Sequence, residues 1–215
     1  MKDLIIIGAS GFGREVAWLV ERINSKKKTW NLLGYIDDSE EMQNKTINSY
    51  PVIGTIDDVY KFPDTFFVVA IGSASTRERV VDRISAQVPN IKFGILIDPS
   101  VEMSDSVIIG EGSIVCAHTI ITVNITIGKH VIVNLDCTIG HDAVLNDFVT
   151  VYPSVNISGN TDIGYASELG TGMQIIQGKK IGERSIVGAG AVVIRDIPEK
   201  CTAVGSPAKP IKLFE

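Results

Sequence analysis

The chain has 215 residues, enough for one large domain or two small ones, and its 45% hydrophobic and 21% charged residues mark an ordinary globular protein. A formal net charge of −5, with Lys26-Lys27-Lys28 as the only basic run, argues against nucleic-acid binding. Leu4-Ile5-Ile6-Ile7 is too short for a membrane span or a signal core, and the scattered Cys116, Cys137 and Cys201 form neither a disulfide framework nor a metal site, so a reducing cytoplasm is the expected compartment.

Residues 4–8 predict a buried strand, and residues 14–23 a helix with Val16, Leu19, Val20 and Ile23 on one face. Between them stands Gly8-Ala9-Ser10-Gly11-Phe12-Gly13. A glycine-rich turn there presents backbone N–H groups at a helix N-terminus, which suits a phosphate. The spacing is G-x-x-G-x-G rather than the dinucleotide fingerprint, and a plain strand-to-helix turn also accounts for it. A second strand over 32–36 ends at Asp37 and Asp38, where an acid accepts from a ribose hydroxyl or a base N–H, or simply solvates a loop. A third strand over 66–72 ends at Gly72 and Ser73 on the same carboxyl edge, followed by a helix over 76–87 and a strand over 92–95. This alternation predicts a small parallel sheet with helices on its faces, a Rossmann-like unit over residues 1–97, with a linker at 97–100.

Beyond the linker the period changes. Every sixth residue from Ile109 to Val193 is Ile, Leu or Val, at all fifteen positions, a run that chance would give at roughly one in a billion in a chain of this composition. The next residue is often Gly (110, 128, 140, 164, 170, 182, 188) or Asn (134, 146), which predicts left-handed corners in that column. Two residues before each aliphatic the side chain is often small, as at Ser113, Thr119, Cys137, Ala143, Thr161, Ser167, Ser185 and Ala191, which lets a narrow core close. The tail from Asp196, with Pro198, Pro207 and Pro210, leaves the period and is expected to cap one end.

The six-residue period and the tail Gly205-Ser206-Pro207-Ala208-Lys209 resemble the hexapeptide-repeat acyltransferases. Added to the GASGFG opening and the single His141-Asp142 pair, the whole chain resembles the sialic-acid O-acetyltransferase (NeuD) family, which includes bacterial N-acetyltransferases of UDP-4-amino sugars. The resemblance implies a left-handed parallel β-helix with about 18 residues per coil over 98–195, a cap over 196–215, a homotrimer, and acetyl-CoA in grooves between neighbouring β-helices. It implies that Gly8, Ser10, Gly11, Phe12 and Gly13 approach the phosphates of a UDP-linked sugar. Asp37 and Asp38 would then read the nucleoside, while Gly72 and Ser73 line the same cleft. Some relatives carry His where this chain has Phe12 and Thr150, which leaves the sugar open.

Thioester chemistry needs a base for the nucleophile and a donor for the oxyanion. His141 follows Gly140 and should face outward, and one 18-residue coil further stands Gly159. His141 is read as general base, in the position where the family places its catalytic His, and the Gly159 amide as oxyanion donor. Asp142 would orient the imidazole, provided the corner turns two successive side chains to one side. Asn134 binds cosubstrate or acceptor, or merely accepts a left-handed backbone. Ala189, with its flanking glycines, and Lys209 would contact acetyl-CoA. His118 and His130 are read as surface residues. The expected function is N-acetylation of a nucleotide-activated amino sugar for surface glycans. O-acetylation of sialic acid and a non-catalytic nucleotide-sugar-binding scaffold are the alternatives.

Overall fold

In the computed structural model, which describes residues 1–214, the chain opens with β1 (Lys2–Ile7), α1 (Gly11–Lys26) and β2 (Trp30–Ile36). β3 (Thr46–Ile47), β4 (Tyr50–Gly54), β5 (Phe66–Val69), α2 (Ala74–Gln87) and β6 (Lys92–Phe93) complete the N-terminal unit. The sheet order is β3-β4-β2-β1-β5-β6, parallel throughout except for the hairpin of β3 with β4. β1 is central, and its alternation divides the core: Leu4 and Ile6 pack with Val16, Leu19 and Val20 of α1, while Ile5 and Ile7 pack with Val81 and Ile84 of α2. The β3–β4 hairpin had no counterpart in the periodicity, because it is short, carries Pro51 and turns through Asn48 and Ser49 at φ 47° and 71°.

Six-residue winding starts earlier than expected. Leu96 and Ile97, the latter read as linker, already form β7 (Leu96–Ile97) and pair with Ile114 and Val115 one coil on. Met103 stands in the aliphatic column and hid these first repeats from an Ile/Leu/Val count. Two-residue strands recur every six residues up to Val192–Val193 and stack in parallel at a register of 18 into three sheets. We call these faces one (through Ile132–Val133 and Thr150–Val151), two (Thr138–Ile139, Asn156–Ile157) and three (Val144–Leu145, Asp162–Ile163). The inward aliphatics form one continuous core, each contributing about 1.5–3 kcal/mol when fully buried. The small column is buried as anticipated, and its hydroxyls are satisfied: Ser113, Thr119 and Ser167 donate to the carbonyls of Gly128, Asn134 and Gly182 at 2.9, 3.0 and 2.8 Å.

The left-handed residues are not where the glycines suggested. Every sixth residue from Gly112 to Gly190, including His118, Asn124, His130, Asp136, Asp142 and Phe148, has φ between 52° and 74°. The column of Gly110, Gly128, Gly140, Gly164, Gly170 and Gly182, two residues earlier, does not, and neither does Asn134. Those glycines serve coil stacking. A Cβ on Gly140 would lie 2.6 Å from the Gly159 nitrogen, and one on Gly164 2.5 Å from the Glu183 nitrogen.

The tail closes the upper end. Ile197, Cys201 and Ala203 join the same core, and the strand Cys201–Val204 extends face one, paired antiparallel with the strand Lys209–Leu213. The N-terminal unit covers the lower part of face one, where Leu96, Ile114, Cys116 and Ile132 merge with the α1 core. Arg22 Nη2 reaches Asp98 Oδ1 at 2.9 Å across this junction. Burial pushes the Asp98 carboxyl up, but the donors from Arg22 and Ser100 prevail and hold it at about 2.

Candidate active site

His141 and Asp142 lie on the edge between faces two and three. Gly140 lets the next coil approach closely, and Asp142 takes the left-handed conformation (φ 59°) that turns the chain. That turn defeats the usual alternation of neighbouring side chains, and His141 Nδ1 lies 2.8 Å from Asp142 Oδ2. The other carboxylate oxygen accepts from Asn124 Nδ2 at 3.3 Å, one coil below. Hydrogen bonds from His141 and then Asn124 lower the Asp142 pKa. Asn124 was not singled out from the sequence, although its spacing of 18 from Asp142 is a usable signal. Both members of the pair stay open to solvent, at 56% and 47% side-chain exposure, where a substrate can reach them.

Gly159 stands over the ring. A Cβ at that position would meet His141 Nε2 at 2.5 Å and Cε1 at 2.7 Å, so only glycine leaves the imidazole its place. The Gly159 N–H has no hydrogen-bond partner among the described residues, while the next residue, Asn160, donates its N–H to the His141 carbonyl at 2.8 Å. The edge thus presents an oriented imidazole nitrogen beside a free backbone donor.

The other predicted residues fall into separate places. Gly8, Ser10, Asp37 and Asp38 line a cleft with Ile56 and Ile71 at the carboxyl edge of the parallel sheet. Gly8 has φ 101°, and a Cβ on Gly13 would strike the Gly8 carbonyl at 2.0 Å, so Gly13 serves the packing of α1 on the strand end. Asp37 accepts from the Ala9 N–H at 2.8 Å and shapes the glycine turn, while Asp38 accepts from the Ile56 N–H and from Arg83, both at 2.8 Å. Gly11 is the exposed first residue of α1. Ser73 occupies the N-cap position of α2, without a side-chain capping hydrogen bond, and lines neither this cleft nor the next.

A second cleft lies where the two units meet, lined by Phe12, Glu15, Gly72, Ile132, Asn134, Thr150 and Tyr152. Asn134 accepts from the Leu135 N–H at 2.8 Å through Oδ1. Thr150 is buried, and its hydroxyl donates to the Gly72 carbonyl at 2.7 Å. Glu15, Tyr152 and the buried Arg77 were missed from the sequence, because only the docking of the two units brings them together. Above this cleft on the same edge, between faces one and two, stand Gly170 and then the exposed Ala189. The turn leading to Lys209 meets that edge: Val204 packs on Gly188, and Ala208 N–H donates to the Val192 carbonyl at 2.8 Å. Within one chain, Asn134, Ala189 and Lys209 are therefore separated from His141 and Gly159 by the width of face two.

His118 is exposed, as read from the sequence, but His130 is not a surface residue. It is 4% exposed, stacked on Phe148 at 5.1 Å and edge-on to Phe93 at 4.5 Å, with Nδ1 unpartnered. Burial, with Arg77 nearby, pushes its pKa down to about 4. The same column is exposed at His118, Asn124, Asp136 and Asp142 on the other two edges, but on this edge Gly112, His130, Phe148 and Ala166 are all buried. Among the described residues no helix is long and apolar enough to cross a membrane.

Residues 3–84 match the PglD N-terminal domain family. The acetyltransferase domain of PglB from Neisseria gonorrhoeae FA1090 is 34% identical, covering 98% of this chain and 100% of that one with a TM-score of 0.88, and it has also been solved with acetyl coenzyme A. A perosamine N-acetyltransferase variant from Caulobacter crescentus, with a histidine replaced by asparagine and solved with CoA and GDP-perosamine, is 27% identical over 99% of this chain and 98% of that one, with a TM-score of 0.87. The UDP-N-acetylbacillosamine N-acetyltransferase of Bacillus subtilis is 34% identical over 119 residues, 54% of this chain and 52% of that protein. The chain spans about half the length, or less, of the curated relatives it matches. An N-terminal parallel sheet, a six-residue β-helix and a full-length match at 34% identity together establish that this chain belongs to the hexapeptide-repeat amino-sugar acyltransferase family.

Proposed function

We propose that this protein transfers acetyl from acetyl-CoA to the amine of a nucleotide-linked amino sugar. The observation that carries the reading is the edge at His141, where Asp142 holds Nδ1 and Gly159 leaves room and a free N–H beside Nε2. With Nδ1–H donated to Asp142, Nε2 carries the lone pair. It takes the proton from the acceptor amine as the nitrogen attacks the thioester carbonyl. The C–N bond forms and the carbonyl oxygen becomes an oxyanion within reach of the Gly159 N–H. Collapse breaks the C–S bond, and the proton on Nε2 passes to the departing CoA thiolate. General-base catalysis supplies about 10²–10⁴-fold and one oxyanion donor about 10²–10³-fold. Direct attack is favoured over an acyl-enzyme because all three cysteines are buried, and burial pushes Cys116 up to about 12 and Cys137 up to about 11.

The cleft of Gly8, Ser10, Asp37 and Asp38 is the proposed nucleotide site, and the cleft of Phe12, Gly72, Asn134 and Thr150 the proposed sugar site. Relatives named for UDP-N-acetylbacillosamine and for GDP-perosamine support a nucleotide-linked amine over a free sialic acid. UDP is the proposed nucleotide, and the cytoplasm, in keeping with three unpaired cysteines, the proposed compartment.

A homotrimer is proposed to complete the site. One chain separates His141 from Asn134 and Ala189 by face two, and a neighbouring copy would bring its own His141 edge against them. Val123, Ile176 and Ile194, exposed by 44%, 42% and 40%, flank His141 along that edge and suit such a contact. Acetyl-CoA would lie in the groove, with Ala189 and Lys209 on one wall.

The test is to incubate purified protein with acetyl-CoA and a panel of UDP-linked amino sugars and sialic acids, following CoA release and the mass of the product. Acetylation on nitrogen of a nucleotide-linked amino sugar is expected. CoA release that is equal in His141→Ala, or acetylation confined to hydroxyls, would overturn the reading.

A further inference from the structure

Arg77 is the largest side chain in the molecule with no solvent exposure. It sits in the first turns of α2, and every donor of its guanidinium is used on a neutral acceptor. Nε donates to the His130 carbonyl at 2.9 Å. Nη1 donates to the carbonyls of Ile71 and Gly72 at 2.6 and 3.0 Å. Nη2 donates to the Phe148 carbonyl at 2.7 Å, to the Val149 carbonyl at 3.3 Å and to Thr150 Oγ1 at 2.8 Å. Among the described residues no carboxylate lies within ion-pairing distance of it, and burial lowers its pKa to about 10 against the raising pull of Glu168. Burying a cation among neutral acceptors is costly, so a pin that merely joined two units would be made more cheaply from apolar side chains.

The geometry of its acceptors points elsewhere. Ile71 lines the nucleotide cleft and Gly72 the sugar cleft, so the 71–72 peptide is the wall between them. Arg77 holds both carbonyls of that wall from the helix side, while Thr150 Oγ1, itself taking a hydrogen from Arg77, donates to the Gly72 carbonyl from the β-helix side. A third tie follows on the next coil. Glu168 accepts from the Ala74 N–H at 2.8 Å and from the Tyr152 hydroxyl at 3.1 Å, and Tyr152 is also a wall of the sugar cleft. His130 and Phe148 are one coil apart, so a single fork fixes the wall to two rungs of the scaffold.

We propose that Arg77 is a positioning residue that sets the distance and angle between the nucleotide cleft and the sugar cleft, so that an acceptor spanning both is held as one rigid ligand. This rests on the functional reading above. The planar fork is needed because its donors diverge toward the 71–72 wall and toward two coils at once. A lysine, whose three donors radiate from one nitrogen, keeps the charge but cannot span those acceptors.

The test uses the acceptor found in the panel, full-length protein, and the variants Arg77→Lys and Thr150→Val, each first checked for folding by circular dichroism and Tm. For Arg77→Lys we expect the acceptor KM to rise about tenfold or more, with the acetyl-CoA KM within about twofold of wild type, and for Thr150→Val a smaller rise of the same kind, as expected for lost binding of one substrate. UDP alone, titrated by calorimetry, should bind Thr150→Val as it binds wild type, because Thr150 meets only the Gly72 side of the wall. A fall in kcat with both KM values unchanged, in either variant that folds, would assign Arg77 a structural role only and overturn the proposal. An unfolded Arg77→Lys beside a Thr150→Val with wild-type acceptor KM would do the same. Wild-type protein that acetylates no acceptor would instead refute the functional reading on which the proposal stands, a failure visible before any variant is made.

Discussion

Gly159→Ala is the sharpest perturbation of the proposed site, because it adds one methyl and removes no functional group. Gly159 is not in the left-handed region, so the backbone accepts alanine. The new Cβ would lie 2.5 Å from His141 Nε2. Non-bonded heavy atoms rest at about 3.5 Å, so the ring must yield by about 1 Å. It is 56% exposed and free to swing outward, so the stability cost is small, within about 1.5 kcal/mol for an off-rotamer side chain. The catalytic cost is not small. Swinging out pulls Nδ1 from its 2.8 Å contact with Asp142 and removes Nε2 from the Gly159 N–H, and a misplacement of about 1 Å costs about 10²-fold in rate. The assay is steady-state CoA release in Gly159→Ala, His141→Ala and the double variant. In the His141→Ala background the same methyl should cost less than about threefold, since residues acting as one unit are non-additive. Wild-type kcat in Gly159→Ala, or a further hundredfold loss in the double variant, would refute the reasoning.

His141→Ala should lower kcat by about 10²–10⁴-fold and leave acetyl-CoA affinity, measured by calorimetry, unchanged. Asp142→Asn, which keeps the shape but loses the charge that orients the ring, should lower kcat by at least about tenfold with little change in either KM. Gly164→Ala, whose Cβ would press on the Glu183 nitrogen at 2.5 Å far from His141, should overpack the coil stack by about 1–3 kcal/mol, seen as a fall in Tm with kcat preserved. His130 makes stability depend on pH: its folded pKa of about 4 lies below the ordinary 6.5, so the unfolded chain binds the extra proton. That contribution is intact above pH 6.5 and is lost as pH falls from there towards 4, by about 3 kcal/mol at 1.36 kcal/mol per pH unit. His130→Phe should flatten the dependence of Tm between those limits, since Phe148 shows that an aromatic tolerates the same left-handed position one coil above. A variant whose Tm still falls as steeply would locate the sensitive group elsewhere.

The hydrophobic period determined the six-residue winding and the inward columns, because a narrow solenoid buries the same residue of every repeat and leaves a trace along the chain, whereas the 18-residue coil that pairs His141 with Gly159 came with the family resemblance. The parallel sheet and its carboxyl-edge cleft were legible for the same reason, from local apolar runs and the turn between them. The role of each corner was not. Glycines two residues before the turn looked like left-handed positions, but their reason is the backbone of the next coil, which lies 18 residues away. The burial of His130, the fork of Arg77 and the cleft around Phe12 and Tyr152 share one cause. Each depends on how the N-terminal unit lies on face one, and contacts between two units with different periods leave no repeating mark in either. Tertiary structure alone decided those, and it also set His141 and Asn134 on different edges of the prism, since neighbours in sequence diverge wherever the chain turns a corner.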